Sequence, residues 1–311
     1  MIKKRILLFG YSDLGHASLK FLLENGEEVA GVFTHEDAAR ENIWFPSVKE
    51  LALANKIPVY TPSVLSSGEV QIIKGLKPDL IFSFYYRNLI PNSILSLAPL
   101  GAYNMHGSLL PKYRGRAPVN WAVLKGEAET GATLHVMTDK PDAGDIVDQE
   151  AVPIGPDETS SEVQKKVTQA AVRVMERQIE ALKMGTARFR PQIHSLSTYY
   201  GRRRPEDGKI DWSKPAREIH NLIRAVTHPY PGAFTDNLAK ITYIWRSRPT
   251  GIKAPPNSQL GQILDLDGSP CFVCGDGQLL EALNIQGEGE GEVDGKEFLR
   301  RNKKLEIQKG K

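Results

Sequence analysis

Short unbroken apolar runs alternate with stripes of helical spacing along the front of this chain. Arg5 to Phe9 (RILLF) reads as a buried parallel strand, since a strand covered on both faces needs no polar alternation. Leu14, Ala17 and Phe21 then recur at helical spacing, with Ser12 or Asp13 as the cap and Gly26 as the stop. The pattern repeats as a strand (Val29 to Thr34), a helix (Ser47 to Asn55), a short strand (Val59, Tyr60), a helix (Gly68 to Leu76) and a strand (Leu80 to Phe84). Such alternation predicts a parallel sheet. Farther on, Val119 to Lys125 reads as a helix, and Ala132 to Thr138 and Asp145 to Ile154 as strands. Thr159-Ser160-Ser161-Glu162 is a capping-box pattern, opening a long helix to about Met184 that Gly185 ends.

The pattern then changes. TYYGRRRPEDGKIDW reads as a linker, with Arg202, Arg203 and Arg204 as a solvated basic run or a patch that meets a phosphate. One helix follows (Arg217 to Val226), then short strands at Ile241 to Arg246, Gly261 to Leu266 and Pro270 to Cys274. Short strands between turn signals suggest a small β-barrel. QGEGEGEVDG reads as an acidic loop, and RRNKKLEIQKGK as a basic tail.

The chain's 311 residues suffice for two domains, and 41% hydrophobic with 25% charged residues is a globular composition. A net charge of +3 suits an anionic small substrate better than nucleic acid. The apolar run after MIKKR is too short for a signal peptide and breaks at Gly10, and no stretch could span a bilayer, so a cytoplasmic location is expected. The turn GYSDLG lacks the Gly-x-Gly-x-x-Gly spacing that brings a backbone close to a pyrophosphate, which disfavours a dinucleotide. Cys271 and Cys274 have Cys-x-x-Cys spacing; two buried reduced thiols are expected, with half a zinc site as the rival.

The chemistry concentrates in Gly101 to Pro118, GAYNMHGSLLPKYRGRAP. Asn104 and His106 are two apart on a strand, so both side chains leave one face. A carboxamide can hydrogen-bond an oxyanion while an imidazole moves a proton, which makes an acyl-transfer centre. A strand with two satisfied polar side chains is the plainer alternative. His135, alone between Leu134 and Val136, reads as structural. SFYYRNLIP follows a strand's C-terminal end, the side where open α/β sheets bind ligands.

HGSLLPKYRGRAP resembles the central motif of the folate-dependent formyltransferases, and the likeness extends over nearly the whole chain. It implies a Rossmann-like, mainly parallel α/β domain at 1–204 and an open, OB-like β-barrel domain at 205–311. It also implies transfer of a formyl group from 10-formyltetrahydrofolate to an amine, with no metal. In that scheme His106 shuttles the proton, Asn104 stabilises the tetrahedral oxyanion, and Asp142 favours the charged imidazole. Asp139 and Asp145 are rivals for that acid; Asp-Ala-Gly at 142 matches the family pattern. Asn88, Leu89 and Ile90 would line the folate pocket, together with Arg116 and the turn Thr138, Asp139, Lys140, Pro141 and Asp142.

Two branches of the family differ in acceptor. The branch acting on methionyl-tRNA has His-Ala-Ser where this chain has His106-Gly107-Ser108, and a basic loop where it has HEDAARENIWFPS, with Arg40 its one Lys or Arg. A tRNA arm needs several phosphate-contacting cations. FSFYYR, HGSLLPKYRGRAP and GRRRP match best the formyltransferase acting on UDP-4-amino-4-deoxy-L-arabinose, in which a decarboxylase domain follows; the present sequence ends before it. The expected partners are therefore the folate donor and a nucleotide-linked 4-amino sugar, with neither tRNA nor a membrane. A tRNA formyltransferase and a non-catalytic folate- or nucleotide-binding module are the alternatives. The residues do not set the oligomeric state.

Overall fold

The computed structural model describes residues 3–37, 42–238, 240–302 and 308–309. Arg40 and most of the basic tail lie outside them. Two compact units divide the chain. The first holds the residues up to Pro118, Glu129–Pro153 and Gln164–Gly201; the second holds Val119–Ala128, Ile154–Val163 and the residues from Arg202 on.

The first unit is an α/β layer. Its strands are β1 (Arg5–Gly10), β2 (Glu28–Phe33), β3 (Val59–Tyr60), β4 (Leu80–Phe84) and β5 (Ala102–His106). Beyond a two-residue strand β6 (Arg114–Gly115) come β7 (Glu129–Val136) and β8 (Ile146–Pro153). The sheet order is β3-β2-β1-β4-β5-β7-β8. Neighbours from β3 to β5 run parallel, as the alternating pattern predicts. β7 and β8 are each antiparallel to the strand before them, so the sheet is mainly, not wholly, parallel. The apolar runs sit in its middle: Leu7, Phe9, Phe33 and Ile81 are fully buried in one cluster. Burial on this scale contributes roughly 1.5–3 kcal/mol for each such side chain.

Helices α1 (Ser12–Glu24), α2 (Val48–Ala54), α3 (Ser67–Leu76), α4 (Asn92–Leu95), α5 (Pro118–Leu124) and α6 (Ser160–Met184) join the strands. Neither Ser12 nor Asp13 caps α1. Tyr11 takes the cap position with its hydroxyl donating to Asp37 rather than capping the helix, and Ser12 stands at φ +62° with its hydroxyl donating to Asp13 Oδ1. At the start of α6 the capping box forms as expected: Glu162 accepts from the Thr159 backbone N–H, and Glu162 N–H donates to Thr159 Oγ1. Gly185 follows at φ +66°.

A short strand β9 (Tyr199–Tyr200) pairs with β6. The second unit then contains α7 (Ala216–Val226), β10 (Ala233–Thr235), β11 (Thr242–Lys253), β12 (Ile263–Leu266), β13 (Ser269–Val273), β14 (Gln278–Gly287), β15 (Val293–Asp294), α8 (Gly295–Arg301) and β16 (Gln308–Lys309). Its sheet order is β10-β11-β14-β13-β12-β16, antiparallel except at the last pair. The polar face of α7 holds the two earlier stretches of this unit. Arg224, 5% exposed, donates to the carbonyls of Val123, Gly155 and Glu158. His220 lies 3.2 Å from Asp157.

Cys271 and Cys274 are free, buried thiols. Burial, with acidic neighbours, pushes each thiol pKa up to about 12, so neither is a ready nucleophile or thiolate ligand. Among the described residues no group of three His, Cys, Asp or Glu side chains is placed to hold a metal ion. Among them, too, no helix is long and apolar enough to cross a membrane.

Candidate active site

Strand β5 carries the centre of the site. Its register sets Asn104 opposite Ser83 of β4 and His135 of β7, and His106 opposite Thr133. His106 is 5% exposed. Its Nε2–H donates to the Tyr113 carbonyl at 2.7 Å. Its Nδ1 lies 3.5 Å from Asp142 Oδ1, a charge contact longer than a hydrogen bond. Both ring nitrogens therefore face oxygen acceptors.

Asp142 sits in the loop between β7 and β8 at φ +55°. Its Oδ2 accepts the Gly115 N–H at 2.8 Å. Burial alone would raise its pKa. The positive charge that His106 can carry and the Gly115 N–H outweigh burial and hold the carboxyl well below the usual carboxylate range. Asp142 is thus a fixed negative charge beside the imidazole. Its sequence rivals Asp139 and Asp145 are exposed.

His135 was expected to be structural, and it is a member of this cluster. Its Nδ1–H donates to the Val136 carbonyl at 2.9 Å, which leaves the Nε2 lone pair to accept from Asn104 Nδ2 at 3.1 Å. Asp142 Oδ1 lies 3.7 Å from the same Nε2. One N–H of the Asn104 amide is spent on His135, so the other remains for a developing negative charge. Nothing local in LHV marks His135 as part of a site. The antiparallel register of β5 against β7 brings it there.

The residues expected around a folate lie on neighbouring turns. Tyr85 to Ile90 follows β4: Asn88 Nδ2 donates to the Ser63 carbonyl, Leu89 is 77% exposed, and Ile90 packs on the core of the sheet. Arg116 is exposed and donates to the Arg87 carbonyl at 3.3 Å, which ties its turn to the first. Thr138, Asp139, Lys140 and Pro141 form an exposed turn leading to Asp142, closed by Thr138 Oγ1 donating to the Lys140 carbonyl. The exposed Leu89 side chain and the cations Arg116 and Lys140 suit a flat heteroaromatic ligand that ends in carboxylates.

Gly107 has a steric reason. A Cβ at this position would fall inside the van der Waals radius of the Tyr85 phenol oxygen. That oxygen is 3.3 Å from Gln164 Oε1 on α6.

A mostly parallel α/β sheet that sets a carboxamide and an imidazole of β5 beside a carboxylate of the β7–β8 loop, with an antiparallel β sheet following in the chain, suits a group-transfer enzyme. The formyl transferase family model matches residues 4–179, and the model of the formyl transferase C-terminal domain matches 203–303. The chain belongs to the formyl transferase family, and it is a formyl-transfer enzyme. Solved structures share its fold. An N-formyltransferase from Helicobacter canadensis, in complex with folinic acid and dTDP-3-aminofucose, is 23% identical with a TM-score of 0.72, over 90% of this chain and 99% of that one. A 4-N formyltransferase from Francisella tularensis is 22% identical with a TM-score of 0.61, over 75% of this chain and 92% of that one. HypX from Aquifex aeolicus, in complex with tetrahydrofolic acid, is 20% identical with a TM-score of 0.65; the whole of this chain matches 49% of HypX.

Proposed function

We propose that this enzyme transfers the formyl group of 10-formyltetrahydrofolate to the amine of a nucleotide-linked 4-amino sugar resembling UDP-4-amino-4-deoxy-L-arabinose. The observation that carries the chemistry is the cluster Asn104, His106 and Asp142, with Asp142 Oδ1 3.5 Å from His106 Nδ1. The folate supplies a formyl group on nitrogen: the new bond joins the acceptor nitrogen to the formyl carbon, and the bond from that carbon to the folate nitrogen breaks. His106 takes the proton released by the attacking amine at Nδ1, the ring nitrogen that its bond to Tyr113 leaves with a lone pair, and returns it to the departing folate nitrogen. Asp142 stabilises the imidazolium between those two steps. The remaining Asn104 N–H stabilises negative charge on the formyl oxygen. Leu89, Asn88 and Ile90, with Arg116 and the 138–141 turn, hold the donor.

Support for a sugar acceptor comes from the motif His106-Gly107-Ser108, since the tRNA-acting branch carries alanine at the middle position, where a Cβ in this chain would press on the Tyr85 phenol oxygen. The Helicobacter canadensis protein, which shares the fold, is in complex with a nucleotide-linked amino sugar. A sugar nucleotide has two phosphates, so one or two arginines suffice to hold it. The test offers 10-formyltetrahydrofolate with UDP- or dTDP-linked amino sugars, or with methionyl-tRNA, at two ionic strengths. Formylation of a nucleotide-linked 4-amino sugar, with little on tRNA, is expected. Efficient, steeply salt-dependent formylation of methionyl-tRNA overturns the acceptor assignment. Tight folate binding with no formyl transfer to any acceptor would make the protein a binding module.

A further inference from the structure

Neither family model covers residues 180–202. Yet this stretch is built into the catalytic centre. Arg190 and Ile146 exchange two backbone hydrogen bonds of 2.8 Å. Gln192 is 6% exposed, and its carboxamide is fully engaged. Its Nε2 donates to the Asp142 carbonyl at 2.9 Å and to the Gly144 carbonyl at 2.7 Å. Its Oε1 accepts from Arg114 Nη2 at 2.6 Å and from Arg114 Nε at 3.2 Å.

Arg114 is itself 3% exposed, and it also donates to His194 Nδ1 and to the Tyr199 hydroxyl. The backbone on either side is tied to the same stretch. Tyr113 N–H donates to Thr198 Oγ1, Arg114 N–H to the Thr198 carbonyl and Arg116 N–H to the Tyr200 carbonyl. The rings of Tyr113 and Tyr200 stack at 5.1 Å.

The consequence lies in what residues 113–115 hold. The Tyr113 carbonyl accepts from His106, and the Gly115 N–H donates to Asp142. Both fixed contacts of the proposed proton-relay pair are therefore mounted on a segment that 190–200 braces. Asp142 needs such a brace, because at φ +55° it occupies a backbone region that non-glycine residues seldom adopt unaided. A buried guanidinium on the Gln192 oxygen also polarises that carboxamide and strengthens its two N–H donors.

We propose that residues 190–200 are part of the catalytic centre, and that Gln192, seated by Arg114, is the positioning residue that sets Asp142 against His106. The inference rests on the formyl-transfer reading of that pair, so its test includes a readout that does not depend on activity. Gln192→Glu keeps an acceptor for Arg114 but removes both donors to the Asp142 loop. We expect its kcat to fall roughly 10- to 100-fold, the scale of a small misplacement of a reacting group, with KM for donor and acceptor within about twofold. We also expect hydrogen exchange of the Gly115 amide to rise about tenfold while the Leu7 and Ile81 amides keep their protection. Arg114→Lys, which can reach fewer of the acceptors, should give a smaller change of the same kind. If Gln192→Glu does not fold, Gln192→Asn, one carbon shorter, takes its place with the same readouts. Unchanged Gly115 exchange overturns the proposal, and so does a rise shared equally by Leu7 and Ile81. Unchanged kcat despite a loosened Gly115 overturns it as well. If the unaltered protein formylates none of the acceptors offered, the functional reading fails instead, and Gly115 exchange still decides whether Gln192 places Asp142.

Discussion

The Tyr85 phenol oxygen occupies the space that a Cβ on residue 107 would need. The two positions are therefore coupled. In Gly107→Ala the phenol must swing away and give up its approach to Gln164. Overpacking of this kind costs about 1–3 kcal/mol, and the loss should appear in the urea midpoint. Adding Tyr85→Phe removes the oxygen that clashes, so the double variant should be destabilised by less than the sum of the singles. Strict additivity in that cycle would show that the two side chains do not compete for space.

His106→Ala removes the proton carrier. Turnover should drop by roughly two orders of magnitude or more, with donor affinity little changed. Single-turnover rates and a folate titration separate the two. Near-normal turnover would remove His106 from the mechanism, and a matching loss of folate affinity would make it a recognition residue.

Asp142→Asn keeps the shape of the side chain and removes its charge. Turnover should fall, because the imidazolium loses its counter-charge. Stability should change with a defined sign. The folded-state pKa of Asp142 lies well below the usual carboxylate range. Its stabilisation is therefore complete above about pH 4, where the unfolded carboxyl is ionised, and is lost as the pH falls through the folded-state value. The stability gap between wild type and variant should be widest at neutral pH and narrow below about pH 4. A gap that stays constant over that range would show that the carboxylate gains nothing from its neighbours.

His135→Leu takes away the acceptor that orients the Asn104 amide. The amide is then free to rotate, so kcat should fall about tenfold or more with KM for the folate nearly unchanged, as for loss of a preorganised donor. Rescue by His135→Gln, whose side-chain oxygen can accept the same bond, would separate this role from packing. Equal activity in the Leu and Gln variants would leave His135 with a packing role alone.

Cys271 and Cys274 should resist a thiol reagent in the folded protein at mildly alkaline pH, since burial holds both as neutral thiols with pKa values pushed up to about 12. Labelling should follow global unfolding. Rapid modification under native conditions would mean that this part of the second unit opens locally.

The order of strands and helices was legible in the sequence because it is a local property. Runs such as RILLF and LIFSF bury both faces of a strand, and the spacing of Leu14, Ala17 and Phe21 buries one face of a helix. The pairing of Asn104 with His106 on one strand was equally local, since a two-residue period needs no tertiary information. The resemblance of HGSLLPKYRGRAP then pointed to the family, and residues 4–179 and 203–303 match it. What the tertiary structure alone decided is which distant residues meet that strand. His135 reaches Asn104 through the antiparallel register of β5 and β7, and an adjacent strand's register cannot be read from the strand itself. Asp142 comes to His106, while Asp139 and Asp145 stay exposed, because the loop reverses at φ +55° under hydrogen bonds from Gly115 and Gln192. Those donors lie far from Asp142 along the chain, and a contact between residues remote in sequence exists only once the backbone between them has taken its path.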